Sequence, residues 1–320
     1  MVLQNRLATD RVWRSNGLHI RKGTVMRRLI FGCGYLGFRV ASFWRDLGDA
    51  VTVVTRSTER ARGLRAEGFR TVLGDVMNPA SLASLPSFDT ALYAVGFDRL
   101  SGFSKRSVYV DGLKNALSAC YSKCERLVFI SSTSVYGQSS GEVVDESSAT
   151  DPTEEGGAIC AEAEALVQEV NASHCEQNNK TIVLRLSGIY GPGRVFARIE
   201  QLMSRTRLTG NPNAWLNLIH VEDAAAAAII ASEHGQLGGT YLVSDDRPIH
   251  RYEYYRTLAE LVGAPEPLFS EITADSPERL KLNKRCSNKK LREQLGVKLR
   301  FPTFIEGLNS LPEVMQSPAR

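Results

Sequence analysis

The run Arg28-Leu29-Ile30-Phe31-Gly32-Cys33-Gly34-Tyr35-Leu36-Gly37 decides the fold. It reads as a short apolar strand that turns through three glycines into an amphipathic helix opening Phe38-Arg39-Val40-Ala41-Ser42-Phe43-Trp44. Such a turn gathers backbone N–H groups and a helix N-terminus at one point, where a dinucleotide pyrophosphate can sit. Gly32 permits the tight turn, Gly34 lets the backbone approach the phosphates, and Gly37 lets the helix pack closely on the strand. Glycines are common, so a G-x-G-x-x-G carries weight only in context. Here an apolar strand precedes it and an amphipathic helix follows.

Outward from that turn the chain alternates strand and helix. Strands are expected at 29–31, 51–55, 71–73, 90–94, 126–131 and 181–186, with helices through 47 and over 57–67, 108–123 and 160–176. Near-continuous apolar strands joined by helices indicate an α/β fold with a parallel sheet covered on both faces. The polar stretch 138–157 reads as a loop over one sheet edge. After Gly193 the elements shorten: a helix over 223–228, a strand at 240–243 and a helix over 252–262 stopped by Gly263-Ala264-Pro265. Ser287 reads as the N-cap of a helix over 288–295, with Gly296 ending it. The organisation is thus a disordered or mis-started leader over 1–25, a dinucleotide-binding domain over 26–190, and a mainly substrate-binding lobe over 191–320. Some segments of that lobe complete the sheet.

Of the 320 residues, 43% are apolar and 23% charged, as in ordinary globular proteins. Residues 1–28 hold seven Lys or Arg against Asp10 alone, six net positive charges, so the overall +4 leaves the remainder at −2. A body without basic surplus argues against nucleic acid as a partner. Residues 1–25 have no apolar run fit for a secretory signal or a membrane span. The six cysteines form no C-x-x-C pair and read as reduced thiols, which suggests a cytoplasmic protein. Cys120 and Cys124 have no histidine at a matching spacing, and no metal site is readable.

The second strand ends in Val54-Thr55-Arg56-Ser57 without the acid that would bind a ribose diol. Arg56 can pair a 2′-phosphate bidentately, and Thr55 or Ser57 can add a hydroxyl. These residues point to NADP(H), with NAD(H) as the alternative. Gly74-Asp75-Val76 follows the third strand, where a carboxylate can accept the adenine amino group.

Together with Phe129-Ile130-Ser131-Ser132-Thr133-Ser134-Val135-Tyr136-Gly137, the run 184–194 and Ile219-His220-Val221-Glu222-Asp223, these motifs resemble the extended short-chain dehydrogenase/reductases. More narrowly, residues 27–312 resemble the NAD-dependent epimerase/dehydratase group. The resemblance implies a Rossmann-type doubly wound sheet, a nicotinamide cofactor and a pocket for a small molecule roofed by the C-terminal lobe. It assigns the cofactor to Gly32, Cys33, Gly34, Tyr35, Leu36, Gly37, the 55–57 turn, Asp75, Val76, Ala94, Val95, Gly96, Ser131, Leu186, Ser187, Gly188 and Ile189. It assigns polarisation of the substrate oxygen to Ser132, with Thr133 as the fallback.

The family's proton donor is a tyrosine four residues before a lysine that lowers its pKa, since an unperturbed phenol, pKa about 10, is a poor base at neutral pH. Placing the family's helix glutamate on Glu164 puts those positions at Gly156 and Cys160, so the pair is missing, and 138–180 contains no tyrosine to replace it after the Tyr136-Gly137 turn. The family's first phosphate-loop glycine falls on Phe31, and Asp111 stands in Tyr109-Val110-Asp111-Gly112 where an asparagine is usual. The chain thus resembles the atypical members, which keep the cofactor fold and alter the catalytic set.

Two functions follow. One is an oxidoreductase or epimerase with a substituted acid/base, for which Tyr109, Tyr190, Glu154 and Glu155 are candidates. The other is a catalytically degenerate NADP(H)-binding sensor or structural protein. Ser132 favours the enzyme. Arg194, Arg198, Arg205 and Arg207 cluster where the lobe begins, and Arg194 and Arg198 are assigned to the substrate. The polar-basic stretch 283–288 is a second candidate pocket wall. For association, a homodimer is considered.

Overall fold

The computed structural model describes residues 24–173, 179–271 and 282–315. The leader expected over 1–25 lies outside these except for Thr24 and Val25, as does the end of the helix expected over 160–176. The first strand, β1 (Arg27–Phe31), leads through the glycine turn into α1 (Gly37–Asp46). Then come β2 (Ala50–Thr55), α2 (Thr58–Ala66), β3 (Arg70–Leu73) and β4 (Phe88–Tyr93). A π-helical turn, Ser107–Asp111, runs into α3 (Gly112–Cys120), followed by β5 (Cys124–Ser132), β6 (Glu142–Val144), α4 (Glu155–Ser173) and β7 (Thr181–Leu186).

The C-terminal part contains β8 (Gly188–Tyr190), α5 (Phe196–Met203), β9 (Trp215–Leu216), β10 (Leu218–His220) and α6 (Val221–His234). It continues with β11 (Thr240–Val243), β12 (Ile249–His250), α7 (Arg251–Val262), β13 (Lys284–Cys286), α8 (Lys289–Glu293), α9 (Phe304–Asn309) and α10 (Pro312–Met315). Among the described residues no helix is long and apolar enough to cross a membrane.

Seven strands form one sheet in the order β11-β7-β5-β4-β1-β2-β3, every neighbouring pair parallel. This is the expected doubly wound Rossmann-type α/β sheet. The winding reverses between β1 and β4, which leaves a crevice beyond their carboxyl ends. Alternation sets the layers: Leu29 and Phe31 face the core under α3 and α4, while Ile30 faces the core under α1 and α6. α6 carries Ala224 to Ala228, none more than 1% exposed, so its backbone lies close to both α1 and the sheet. Asp223, fully buried, accepts the Arg300 and Phe301 N–H groups at 2.8 and 2.9 Å and ties the C-terminal segment to this layer. A separate apolar cluster of Tyr190, Val195, Leu202, Tyr254, Leu258, Phe304 and Leu308 forms the lobe.

Three local readings change. The stretch 138–157 is not wholly loop: it holds β6, which pairs in parallel with β13, and the first turn of α4. The helix expected over 108–123 is divided among the π-helical turn, α3 and a 3₁₀ turn. The N-cap of α8 is Asn288 rather than Ser287, and the helix stops at Glu293.

Candidate functional site

Two cavities meet beyond β1 and β4. The first, about 340 Å³, is lined by the glycine turn and the ends of β2 and β3: Gly32, Cys33, Gly34, Thr55, Arg56, Asp75 and Val76. The second, about 360 Å³, runs from the same turn to the end of β5, past Tyr35, Leu36, Tyr109, Ser131, Ser132, Cys160 and Ile189. Gly32, Gly34, Val95 and Gly96 line both. The joined groove has the elongated shape a dinucleotide needs, with the turn at its waist.

Each glycine of the turn does a different thing. A Cβ at Gly32 would lie 2.3 Å from the Ala94 carbonyl oxygen, and the backbone there is left-handed at φ +88°. A Cβ at Gly37 would lie 2.2 Å from the Gly32 oxygen. These two hold the turn against β4 and the helix against the turn. At Gly34 a Cβ would meet nothing within 4 Å, and the same holds at Gly96. Leu36, the N-cap of α1, supplies no side-chain cap; the Phe38 and Arg39 N–H groups bond to the Gly34 and Leu36 carbonyls at 2.9 and 3.0 Å, so this end offers an anion the positive end of the helix dipole. Open glycine backbone beside an uncapped helix start fits a pyrophosphate.

In the first cavity Arg56 forms an ion pair with Asp98, each about half exposed. Arg60, which the sequence reading passed over, donates to the Cys33 carbonyl at 3.3 Å, placing a second guanidinium beside the turn. Its signal was available: Arg60 lies in the first turn of α2, three residues after the Ser57 cap and just beyond the β2 end. Ser57 is occupied as the N-cap of α2, accepting the Arg60 N–H at 3.1 Å, and lies outside the cavity lining. Asp75 accepts the Met77 N–H at 2.9 Å through Oδ1 while lining the cavity. Burial pushes the Cys33 thiol up to about 11, which keeps it protonated and unreactive at neutral pH.

Around the second cavity the hydroxyls divide by what they already hold. Ser131 donates to Glu164 Oε1 at 2.5 Å. Glu164 is held in turn by Arg185, whose Nε lies 3.1 Å from both carboxylate oxygens and whose Nη2 lies 2.7 Å from Oε2. Arg185 also donates to Tyr136 Oη at 2.8 Å, and Tyr136 donates to the Asp145 carbonyl at 2.7 Å. This buried chain braces the end of β5, and Tyr136, fully buried, is a strut within it. Ser132 differs. Its Oγ accepts the Ser134 N–H at 3.1 Å, which leaves its own proton to donate into the cavity.

Thr133 turns away from the cavity and is buried beside the Cys286 thiol. Tyr190 also lies outside both cavities: it is buried in the lobe core, where a Cβ at Gly307 would fall 1.8 Å from its hydroxyl. Tyr109 does line the second cavity. Burial raises its phenol above the usual range, and the Phe97 N–H, donating to Oη at 3.3 Å, opposes that rise. Gly156 and Cys160 stand on the first turns of α4, and Cys160 lines the cavity opposite Tyr109.

Arg194 lines the second cavity and lies over the Tyr35 ring, 4.4 Å from its centroid. Arg198 stacks instead on Tyr255 in the lobe, and Arg207 donates to the Phe269 carbonyl at 2.7 Å. Leu186 is core, Ser187 is bonded through its N–H to the Val243 carbonyl, and Gly188 packs on Asn217. Of that run only Ile189 reaches the groove. The 283–288 stretch stitches the lobe to the sheet edge: buried Lys284 donates to the Tyr136 carbonyl at 2.8 Å, and Asn283 accepts the Trp215 N–H at 2.9 Å.

Fold and groove together define an α/β dinucleotide-binding protein of the doubly wound class. The family model for NAD-dependent epimerases and dehydratases matches residues 29–244, and the chain belongs to that family. It is 30% identical over 270 residues to mouse (Mus musculus) short-chain dehydrogenase/reductase family 42E member 1, covering 74% of this chain and 67% of that protein. It is 25% identical over 279 residues to the protein YeeZ of Escherichia coli K12, covering 85% of this chain and 95% of the relative. The Thermus thermophilus UDP-glucose 4-epimerase in complex with NAD shares the fold at a TM-score of 0.72 and 21% identity, over 88% of this chain and 96% of that one.

Proposed function

We propose that this chain binds NADP(H) along the joined groove and acts as an oxidoreductase or epimerase on a carbonyl- or sugar-like small molecule. One observation carries the enzymatic part: Ser132 lines the second cavity with its oxygen accepting the Ser134 N–H and its proton unspent. A serine so placed donates to a substrate carbonyl oxygen and polarises the bond. The nicotinamide, when bound, supplies or removes a hydride. The chain's own residues position the dinucleotide at Gly34 and Gly96, hold the β5 end through Glu164 and Arg185, and line the substrate side with Tyr109, Ile189 and Arg194.

The preference for NADP(H) rests on Arg56 lining the first cavity and Arg60 bonded to the Cys33 carbonyl at its edge, with no acid at the β2 end. Exposed ion pairs such as Arg56–Asp98 are worth about 0–1 kcal/mol, so a doubly charged 2′-phosphate can take the place of Asp98. The free cysteines among the described residues fit a reducing, cytoplasmic setting.

Fluorescence titration with NADPH and NADH, followed by turnover against small aldehydes, ketones and nucleotide sugars, tests the reading. NADPH should bind at least about tenfold tighter, and one carbonyl class should be turned over. Equal affinities remove the NADP(H) preference. Tight binding with no turnover favours the sensor reading, which isothermal titration of NADPH against NADP⁺ with sizing in each state then decides. Sizing also reads the homodimer directly.

A further inference from the structure

We propose that Tyr109 is the proton donor of this site and that Lys105 holds its phenol in place and charge. The pair stands on the wall facing α4 and runs in the reverse order to the family's tyrosine and lysine. The proposal rests on the oxidoreductase reading above and names the group that reading leaves open.

Geometry at the vacated positions carries it. Gly156 lies in the first turn of α4, and a Cβ there would come 2.7 Å from Lys105 Nζ. The lysine therefore fills the space through which a side chain at 156 would leave the helix. Lys105 is half-buried and has no hydrogen bond or ion pair among the described residues. What its ammonium does face is the Tyr109 ring, 5.7 Å to the centroid, and the Cys160 thiol, which its charge draws down against burial.

Tyr109 follows Lys105 by four residues, about one turn, and lines the cavity with Ser132 and Cys160. The Phe97 N–H donates to its oxygen and leaves the phenol proton without a partner among the described residues. Phe97 follows Gly96, which lines both cavities, so Oη is anchored where they join. The π-helical turn Ser107–Asp111 sets this residue's direction, and such turns recur at functional sites. The titratable group that raises the phenol is Cys160 from α4, and Tyr109 in turn raises Tyr93 from β4.

In the reductive direction Tyr109 gives its Oη proton to the oxygen of a carbonyl whose carbon has received a hydride from the reduced nicotinamide. The O–H bond of the phenol breaks, the O–H bond of the alcohol forms, and the dinucleotide is left oxidised. Lys105 stabilises the tyrosinate until water reprotonates it. Lys105 is thus a positioning residue.

The test begins without turnover, by ¹³Cζ-tyrosine NMR titration of the NADP⁺-loaded protein, with the Tyr109 signal identified by its loss in Tyr109→Phe. Lys105→Met should raise the Tyr109 pKa by about half a unit, the order expected on removing a unit charge that lies 5.7 Å from the ring centroid in a solvent-screened site. Lys105→Arg should restore most of that shift, and an unchanged pKa in Lys105→Met overturns the pairing. In single-turnover reduction of 9,10-phenanthrenequinone by NADPH, Tyr109→Phe should lose about 100-fold or more with NADPH affinity kept. Gly156→Ala, whose methyl would fall 2.7 Å from Lys105 Nζ, should displace the flexible ammonium and reproduce part of the Lys105→Met shift, while a helical alanine keeps the protein folded. Turnover that survives Tyr109→Phe overturns the donor role alone. A wild-type protein that binds NADPH and reduces no carbonyl overturns the oxidoreductase reading and the donor role with it.

Discussion

Replacing Gly34 by alanine separates what the dinucleotide asks of the glycine turn from what the fold asks. A Cβ at Gly34 meets no protein atom within 4 Å, and its backbone is not left-handed. The methyl therefore costs the folded state nothing, and by restricting the unfolded chain it adds about 0.4–1 kcal/mol of stability. Its effect falls on the ligand, because it projects where the two cavities join and holds phosphates off the backbone N–H groups. Losing two hydrogen bonds to a charged phosphate, about 1.5–3 kcal/mol each, weakens NADPH binding by about 100-fold or more. At Gly37 the same methyl lies 2.2 Å from a backbone oxygen, and at Gly32 it lies 2.3 Å from another with φ at +88°. Neither backbone can yield without opening the turn, so those variants lose about 3 kcal/mol or more of stability. Thermal unfolding of the free proteins and NADPH fluorescence titration read the two effects separately. Wild-type affinity in Gly34→Ala would refute the path of the pyrophosphate across Gly34, and a large loss of stability there would refute the open junction.

Arg60→Ala should narrow the affinity gap between NADPH and NADH by about tenfold while leaving NADH binding alone; equal losses for both would mean that Arg60 serves the turn and not a 2′-phosphate. Burial pushes the Asp245 carboxyl from 3.8 to about 8, and its Oδ2 is buried without a partner. The folded form therefore keeps a proton that the unfolded chain releases, so stability falls as pH rises from about 4 to 8. Asp245→Asn should raise Tm above wild type at pH 8 with the gap closing below pH 5, and a gap independent of pH would contradict this. Glu164→Ala strands the Arg185 guanidinium in the interior and should cost about 3–5 kcal/mol in denaturant unfolding, a loss under about 1 kcal/mol ruling out the brace.

The parallel sheet was legible because its strands are buried on both sides and read as apolar runs. Thr181–Leu186 and Thr240–Val243 have the same bounds in sequence and structure. The short β6 was not legible, because its partner β13 lies about 140 residues on and Glu142-Val143-Val144 shows no local alternation. The groove's glycines could be read from spacing alone, since backbone approach needs no partner side chain. Thr133 and Tyr190 were nominated by motif and turn out to face the core, a choice that strand pleat and lobe packing make together.

The glycine turn and the parallel sheet, and with them the dinucleotide groove, were determined by the sequence, because each rests on the conformational freedom and polarity of neighbouring residues. Which charges meet was decided only by the tertiary structure. Arg56 finds Asp98 across two strand ends, Arg185 finds Glu164 across a helix–sheet interface, and Lys105 finds the bare backbone of Gly156. Each of these contacts joins residues on different crossovers, and their meeting depends on how the layers close over the sheet. A missing tyrosine and lysine read from the sequence as a loss; the fold sets Lys105 and Tyr109 against the place they left.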